Sequence, residues 1–263
     1  MTEILSTSEV AATLGASEAS VKRWADEGEF ACERTPGGHR RFHASAVAAF
    51  AARLRGASGL ADPASFAERA LASDGGAIEA MLRSRWTSPR AIAAVADQLV
   101  RPALADVGAR WAAGKLSVAD EHVASATVRQ ALSALSDRRA PASLERGPAV
   151  IACPAGESHE LGAVLVAAAL RAVGFDARLT GADTPPRDLA RLVASVKPRV
   201  VALSASGASG DVDVYALAPV VTAARRCGAE LWVGGRGFAG TRLRGARVAG
   251  TLRELVDALE APR

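Results

Sequence analysis

The stretch ACPAGESHELGAVLVAAALRAVG, which runs from Ala152 to Gly174, joins an apolar strand to a long apolar helix through a short polar loop. His159 lies in that loop between Glu157 and Glu160. In open α/β sheets, ligands bind beyond the carboxyl ends of the strands, which is where this loop begins. A histidine beside a carboxylate is a good metal ligand, because the carboxylate fixes the tautomer of the imidazole and raises its basicity. The loop is therefore a candidate metal or ligand site.

The pattern around this loop predicts the C-terminal fold. Apolar, strand-like runs alternate with helical segments from about residue 147 onward, and RVVALSAS and AELWVGG are clear examples of the strands. Such alternation indicates a parallel sheet with helices on both faces. We therefore expect a Rossmann-like, doubly wound α/β domain over residues 147–263.

The composition narrows the class of protein. The chain has 263 residues, a net charge of +4 and a pI of about 9.4, a balance that permits a nucleic-acid partner without requiring one. Its three cysteines, Cys32, Cys153 and Cys227, form no CxxC pair and are expected to be thiols of a reducing compartment. The polar first residues do not resemble a signal peptide, and no apolar run has the length of a membrane span. A cytoplasmic protein without a membrane partner is expected.

Two polar, proline-containing stretches divide the chain into three segments. RGASGLADP, residues 55–63, and SDRRAPASLERGP, residues 136–148, are typical of linkers. The expected domains are therefore residues 1–56, residues 62–136 and residues 147–263. All strong periodicity between the two linkers is helical, so the middle domain is expected to be a helical one.

The first segment has the pattern of a helix-turn-helix followed by a basic turn. Two short helices are expected around Gly15, with Ser6 or Thr7 as the N-cap of the first. In a helix-turn-helix the second helix enters the major groove of DNA. The turn ERTPGGHRRF, residues 33–42, contains three arginines, a composition suited to phosphate contacts.

Together these two features resemble the winged-helix DNA-binding domain of the MerR family of regulators, over about the first 56 residues. The resemblance implies that the second helix reads double-stranded promoter DNA and that the wing contacts its backbone. Members of the family bind inverted repeats as dimers, so a homo-oligomer is implied. The implied DNA-binding residues are Ser20, Lys22 and Arg23 on the helix, and His39, Arg40 and Arg41 on the wing.

The middle segment combines a tryptophan with a Glu-His dipeptide. Val107 and Trp111 share one helical face, and the next helix begins near Glu121 and His122. A tryptophan, nine residues and then Glu-His resembles the upper-face motif of the CarH- and LitR-type family of B12-dependent photoreceptors. In that family a four-helix bundle caps adenosylcobalamin, which implies that these three motif residues lie over the adenosyl group. Members often have histidine directly after the tryptophan, where this chain has Ala112.

The spacing downstream of His159 resembles the signature of cobalamin-binding domains: an acidic residue, His and Gly, then a Ser motif, then a Gly pair. It implies that His159 binds the cobalt of cobalamin as its lower axial ligand and that the displaced nucleotide tail enters the sheet beside the Ser and Gly motifs. Glu157 stands where most of the wider family has Asp, and its longer side chain is still expected to reach His159. The implied cofactor-binding residues here are Glu157, Ser158, His159, Gly162, Ser204, Ser206, Gly234 and Gly235.

These resemblances favour an adenosylcobalamin-dependent, light-responsive transcriptional regulator, a dark-state repressor that binds promoter DNA as a dimer or tetramer with its cofactor. One alternative is a regulator that senses cobalamin or redox state without photochemistry. An alternative from another class is a corrinoid carrier module for methyl transfer, against which the fused helix-turn-helix argues. No enzymatic activity of its own is expected.

Overall fold

The computed structural model describes residues 4–14, 18–26, 28, 31–35, 37–50, 62–138, 144–208, 210 and 212–261. Its internal contacts divide the chain into two units, Met1–Asp62 and Pro63–Arg263. In the described ranges, no helix combines the length and the apolar character that a membrane span requires.

The N-terminal unit contains the expected helix-turn-helix and its wing. In chain order it consists of β1 (Ile4–Ser6), α1 (Thr7–Leu14), α2 (Glu18–Asp26), β2 (Cys32–Arg34), β3 (Arg40–His43) and the helical residues 44–50 (α3). The strands form an antiparallel sheet in the order β1-β3-β2. The Ser6 hydroxyl and Glu9 side chain form a capping box at the start of α1. Phe42 of the wing is fully buried against both helices with Val10, Val21, Val47 and Phe50.

The second unit begins with a bundle. Its elements are α4 (Pro63–Leu71), α5 (Gly75–Arg83), α6 (Pro89–Val95), a π-helical segment (Ala96–Val100), α7 (Arg101–Ala112) and α8 (Val118–Arg138). The π-helical segment joins α6 to α7 without a break, so the bundle has four helices in the described range. A capping box begins α8, since Ser117 and Asp120 exchange hydrogen bonds of 2.8 and 3.2 Å. The bundle core includes the fully buried Phe66, Ile78, Leu82, Val100, Val128 and Leu132.

The remainder of the second unit is the expected doubly wound sheet. Its elements are β4 (Pro148–Ala152), α9 (Leu161–Val173), β5 (Asp176–Leu179), α10 (Pro186–Val196), β6 (Val200–Ser204), α11 (Ala218–Cys227), β7 (Glu230–Gly234), a 3₁₀ turn (Arg236–Phe238), β8 (Ala246–Ala249) and α12 (Leu252–Glu260). All pairings are parallel, in the order β5-β4-β6-β7-β8. Helices α9 and α12 cover one face, and α10 and α11 cover the other.

The strand order determines where a ligand fits. The chain passes from β4 outward to β5 and then returns to β6 on the other side of β4. The connections after β4 and β6 therefore diverge to opposite faces and leave a crevice at their carboxyl ends. His159 follows β4, and Ser206 follows β6, so both predicted motifs lie at this switch point.

Polar contacts join the bundle to the sheet domain. Asp97, in the π-helical segment, accepts hydrogen bonds of 3.2 and 3.1 Å from the backbone N–H groups of Leu252 and Arg253, which begin α12. On the other side, Arg129 of α8 lies 3.4 Å from the carboxylate of Glu160, directly after His159. The loop with the candidate metal ligand is thus in direct contact with the bundle.

Candidate functional site

Glu157 connects the two loops at the switch point. Its Oε1 accepts hydrogen bonds from the backbone N–H of His159 at 2.7 Å and from the ring Nδ1 at 2.8 Å. Its Oε2 accepts from the backbone N–H of Ser206 at 2.6 Å and from the Ser206 hydroxyl at 2.9 Å. The side chain is 4% exposed, so these bonds replace the water that a buried carboxylate loses.

The hydrogen bond between Glu157 and His159 leaves one ring nitrogen of the imidazole available to bind a metal. Burial raises the pKa of Glu157, but hydrogen bonds from His159 and Ser206 outweigh it and lower the pKa below the ordinary 4.5. Glu157 is therefore ionised at neutral pH and assigns the ring proton to Nδ1. Nε2 then carries the free lone pair, and the His159 side chain is 47% exposed. This is the arrangement that a metal-binding histidine requires.

The side chain of Ser158 is less closely involved. Its hydroxyl lies 3.4 Å from Nδ1 of His159, a longer contact than the 2.8 Å bond from that nitrogen to Glu157. Ser158 is exposed, in the loop beside His159. Its predicted role in cofactor binding therefore concerns the surface of the crevice and not the orientation of the ring.

Two glycines of the predicted cobalamin motif, Gly162 and Gly235, lie where a larger side chain would collide with a neighbouring element. A Cβ atom at Gly162 would lie 2.5 Å from the hydroxyl oxygen of Ser204, so the serine occupies the space that glycine leaves at the start of α9. Gly235 has a φ of +95°, and a Cβ there would lie 2.0 Å from the carbonyl oxygen of Ala205. Gly235 thus allows the loops after β6 and β7 to approach closely, whereas a Cβ at Gly234 would lie 3.0 Å from the carbonyl oxygen of Ala249 in β8. Ser204, at the end of β6, is half-buried. Ser204 and Gly234 face each other in adjacent strands.

The tryptophan and the Glu-His pair of the middle segment lie at one end of the bundle, where α7 ends and α8 begins. Trp111 is in the last turn of α7 and 48% exposed, whereas Trp86 and Trp232 are 5% and 4% exposed. A tryptophan that only filled the core would be buried as those two are. Glu121, in the first turn of α8, accepts a hydrogen bond of 2.7 Å from the Ser125 hydroxyl, and the neighbouring His122 is exposed.

The predicted DNA-binding residues fall into two groups. Lys22 is exposed on α2, and Ser20 and Arg23 of the same helix are partly buried. On the wing, His39 is exposed at the turn and Arg41 is partly buried in β3. The guanidinium of Arg40 was expected to contact the DNA backbone, but it is already bonded within the protein.

Arg40 attaches the wing to the second helix. It donates hydrogen bonds of 2.6 and 2.8 Å to both carboxylate oxygens of Asp26, the last residue of α2, and its side chain is only 15% exposed. The pKa of Arg40 is raised, chiefly by this hydrogen bond. Asp26 is one of the residues that the sequence did not point to, because nothing in its local pattern marks a partner on a later strand.

The residues of this site have the chemistry that cobalamin binding requires. His159 presents Nε2 on a carboxylate-backed imidazole, which is a nitrogen ligand suited to cobalt. His159 lies at the switch point, and Ser204, Gly234 and Gly235 lie at the carboxyl ends of the neighbouring strands β6 and β7. The exposed aromatic residue and the Glu-His pair lie at the end of the neighbouring bundle. These side chains could hold the cofactor from both sides.

Comparison with known families agrees with this geometry. A B12 binding domain family matches residues 147–260, a second B12 binding domain family matches residues 64–136, and a helix-turn-helix domain family matches residues 4–55. Each model covers less than half of the chain, and the three matched segments follow one another along it.

Its particular similarity is to two repressors of Myxococcus xanthus. The chain is 37% identical to the HTH-type transcriptional repressor CarH over 139 residues, which are 53% of this chain and 46% of the relative. It is 40% identical to the HTH-type transcriptional repressor CarA over 114 residues, 43% of this chain and 37% of the relative. The match thus spans less than half the length of each relative.

A solved structure supports the fold of the second unit. The monomethylamine corrinoid protein of Methanosarcina barkeri superimposes with a TM-score of 0.53 at 17% identity. The superposition covers 74% of this chain and 95% of the other. At this identity the likeness concerns the fold alone.

Proposed function

We propose that this chain is a transcriptional regulator and not an enzyme. It binds promoter DNA through its N-terminal unit, as a dimer or tetramer, and adenosylcobalamin through its second unit. The observation that carries the proposal is the pair Glu157–His159, with Nε2 of the imidazole exposed at the switch point, in the same chain as a helix-turn-helix.

In this proposal His159 binds cobalt through Nε2, and Glu157 keeps the ring in the required tautomer. Ser204, Ser206 and the Gly pair receive the nucleotide tail between the strands. Trp111, with Glu121 and His122, contacts the adenosyl group from the bundle. The cofactor supplies a cobalt–carbon bond that light breaks.

The regulatory signal is a change in packing. A bound adenosyl group that contacts the bundle favours one position of the bundle on the sheet, and its loss removes that preference. Helices α6 and α8 pack against α9 and α12, and a second arrangement would have to shift this packing and break polar contacts at its edge, such as Arg129–Glu160 and Asp97 with the start of α12. The oligomer that binds DNA then depends on which arrangement is populated.

The test measures the absorption spectrum of the purified full chain with adenosylcobalamin, before and after illumination. Gel shifts on promoter fragments and molar mass by light scattering are recorded on the same samples. We expect a stable dark complex, a light-dependent spectral change, and loss of DNA binding with a lower mass after illumination. His159→Ala should weaken cofactor binding by at least about tenfold and remove the spectral feature of protein imidazole on cobalt.

His43→Ala is the matched control, because His43 also pairs with a glutamate, Glu33, at 3.2 Å, but lies on the wing. This variant should have the same absorption spectrum with adenosylcobalamin, and the same affinity for that cofactor, as the parent. An unchanged spectrum in His159→Ala would contradict the assignment of the ligand. A complex that forms with cobalamin but does not respond to light would instead support the regulator without photochemistry.

A further inference from the structure

The loop that carries His159 is bonded along its length to the loop after β5. Beyond the last paired residues of the two strands, the backbone N–H of Cys153 donates to the carbonyl of Gly181 at 3.1 Å. The N–H of Thr184 donates back to the carbonyl of Cys153 at 3.0 Å, and Pro154 forms a parallel bridge with Thr184. The pairing of β4 with β5 thus continues past the sheet and into the site.

Asp183 closes this extended pairing with two hydrogen bonds to the turn before His159. Its carboxylate Oδ1 accepts from the backbone N–H of Gly156 at 2.8 Å. Its own backbone N–H donates to the carbonyl of Glu157 at 2.9 Å. One residue therefore holds both the N–H at the start and the carbonyl at the end of the Gly156–Glu157 dipeptide.

The backbone of Asp183 has a conformation that most side chains avoid. Its φ is +47°, in the left-handed region, where Asp and Asn are the residues that enter more readily than others because their short polar side chains bond locally. Gly156, its partner, has a φ of +85°. Both residues that form the hydrogen bond from the Gly156 N–H to the Asp183 carboxylate thus have a positive φ.

We propose that Asp183 is a positioning residue for the lower ligand of cobalamin, a role that rests on the proposed function of His159. Asp183 acts through Glu157: it fixes the backbone from which the Glu157 side chain extends, and the Glu157 carboxylate in turn fixes Nδ1 of His159. Ser206 holds the other oxygen of that carboxylate. The direction of Nε2 is therefore determined by all three loops that follow β4, β5 and β6.

Three substitutions separate the two contributions of Asp183. Asp183→Asn keeps an acceptor oxygen and tolerates the left-handed backbone. Asp183→Gly tolerates the backbone but removes the acceptor, and Asp183→Ala loses both. Asp188→Ala is the matched control, because Asp188 is an exposed aspartate five residues later that bonds Arg191 on the surface of α10.

Two measurements are made on the full chain. In the protein without cofactor, the ring ¹⁵N chemical shifts of His159 report its tautomer and surroundings, and with only four histidines the signal is assigned from His159→Ala. With cobalamin added, the affinity and the absorption band of cobalt-bound imidazole are recorded. Thermal unfolding of each variant verifies that it is folded.

We expect Asp183→Asn and Asp188→Ala to match the parent. Asp183→Gly should weaken cobalamin binding about threefold to tenfold, less than the roughly 10–100-fold typical of a direct partner of a ligating histidine. Asp183→Ala should weaken it further, and in both variants the His159 ring signals should shift toward a mixture of tautomers.

The outcomes distinguish this proposal from the proposed function. If folded Asp183→Gly and Asp183→Ala show the parent's ring shifts, spectrum and affinity while His159→Ala loses the imidazole band, the role of Asp183 is overturned and the cobalamin site remains. If the parent itself forms no imidazole–cobalt complex, the proposed function fails. The ring shifts measured without cofactor still decide whether Asp183 orients His159.

Discussion

Glu157 and Ser206 lie 49 positions apart in the sequence, and two hydrogen bonds, of 2.6 and 2.9 Å, connect them. The other oxygen of the same carboxylate holds His159. The orientation of the candidate cobalt ligand therefore depends on the loop of a different strand. A change in the position of the β6 loop would reach the imidazole through one buried side chain.

Replacing Glu157 by Gln should destabilise the second unit and weaken cofactor binding. The amide NH₂ of Gln would face N–H or O–H donors at His159 or Ser206, which leaves buried donors unpaired at a cost of about 1–3 kcal/mol. Because the pKa of Glu157 is lowered in the folded chain, its stabilising effect is complete above about pH 4.5 and is lost as the pH falls through the lowered pKa.

Denaturant unfolding of parent and Glu157→Gln between pH 7 and pH 3.5 measures this effect. The difference in unfolding free energy should be largest at pH 7 and should decrease below pH 4.5. Glu145→Gln, an exposed substitution of the same kind, serves as the control and should show neither effect. A difference that stays constant over the whole pH range would contradict the assigned bonds.

Cys153 should be unreactive in the folded protein. Burial and, to a smaller extent, the nearby negative charges of Glu157 and Glu160 raise the pKa of its thiol to about 12. At pH 8 almost no thiolate is present, and the thiolate is the reactive form. Alkylation with iodoacetamide followed by mass spectrometry should label Cys153 much more slowly than the half-buried Cys32 and Cys227, and equally fast after unfolding. Rapid labelling of Cys153 in the native chain would contradict this environment.

The two adjacent wing arginines should differ when each is replaced by Ala. Arg41→Ala should weaken binding to all DNA sequences and reduce the magnitude of the salt slope by about 1, as expected of one phosphate contact. Arg40→Ala should mainly loosen the wing, because its guanidinium is bonded to Asp26. Asp26→Ala is the matched test: it should lower the thermal stability as Arg40→Ala does, and the double variant should add little. Strictly additive losses would show that the pair is not coupled.

Ala112 should affect the product of illumination. The chain offers no imidazole directly after Trp111, so an illuminated complex is expected to exchange its upper ligand readily with added imidazole or cyanide. Ala112→His should slow that exchange, and His122→Ala should leave it unchanged. The measurement is the rate of spectral change after ligand addition to illuminated protein. Slow exchange in the parent that becomes fast in His122→Ala would instead assign the upper position to His122.

The architecture of the second unit could be predicted from the sequence because periodicity and motif spacing agree. The apolar runs around Val201 and Leu231 alternate with helices, and the structure confirms the parallel sheet. The side chain of Glu157, two residues before His159, was expected to reach the imidazole, and this contact is present. Its second contact, with Ser206, follows from the strand order, which alternation alone does not specify.

Other features depend on tertiary contacts that no local pattern reveals. Trp111 shares a helical period with the buried Val107, yet it is half-exposed because it lies in the last turn, beyond the packed part of α7. Arg40 belongs to a cationic run whose composition suggests phosphate, but its partner is Asp26 on the preceding helix. Asp183 lies in a short loop without a motif, and the role that we propose for it depends on its hydrogen bonds to the loop that contains Glu157.

The π-helical segment Ala96–Val100 amounts to one extra residue in an otherwise α-helical rod. The wide turn accommodates that residue locally, because its i→i+5 hydrogen bonds enclose one more residue than the bonds of an α-helix do. The helix after the segment therefore keeps nearly the orientation that an α-helix without the extra residue would have. The side chains within the wide turn are the ones that are reoriented, and Asp97, which contacts the start of α12, is among them. Removing a single residue such as Gln98 should therefore leave the direction of Trp111 nearly unchanged and redirect Asp97, so the extra residue serves the contact with the sheet domain.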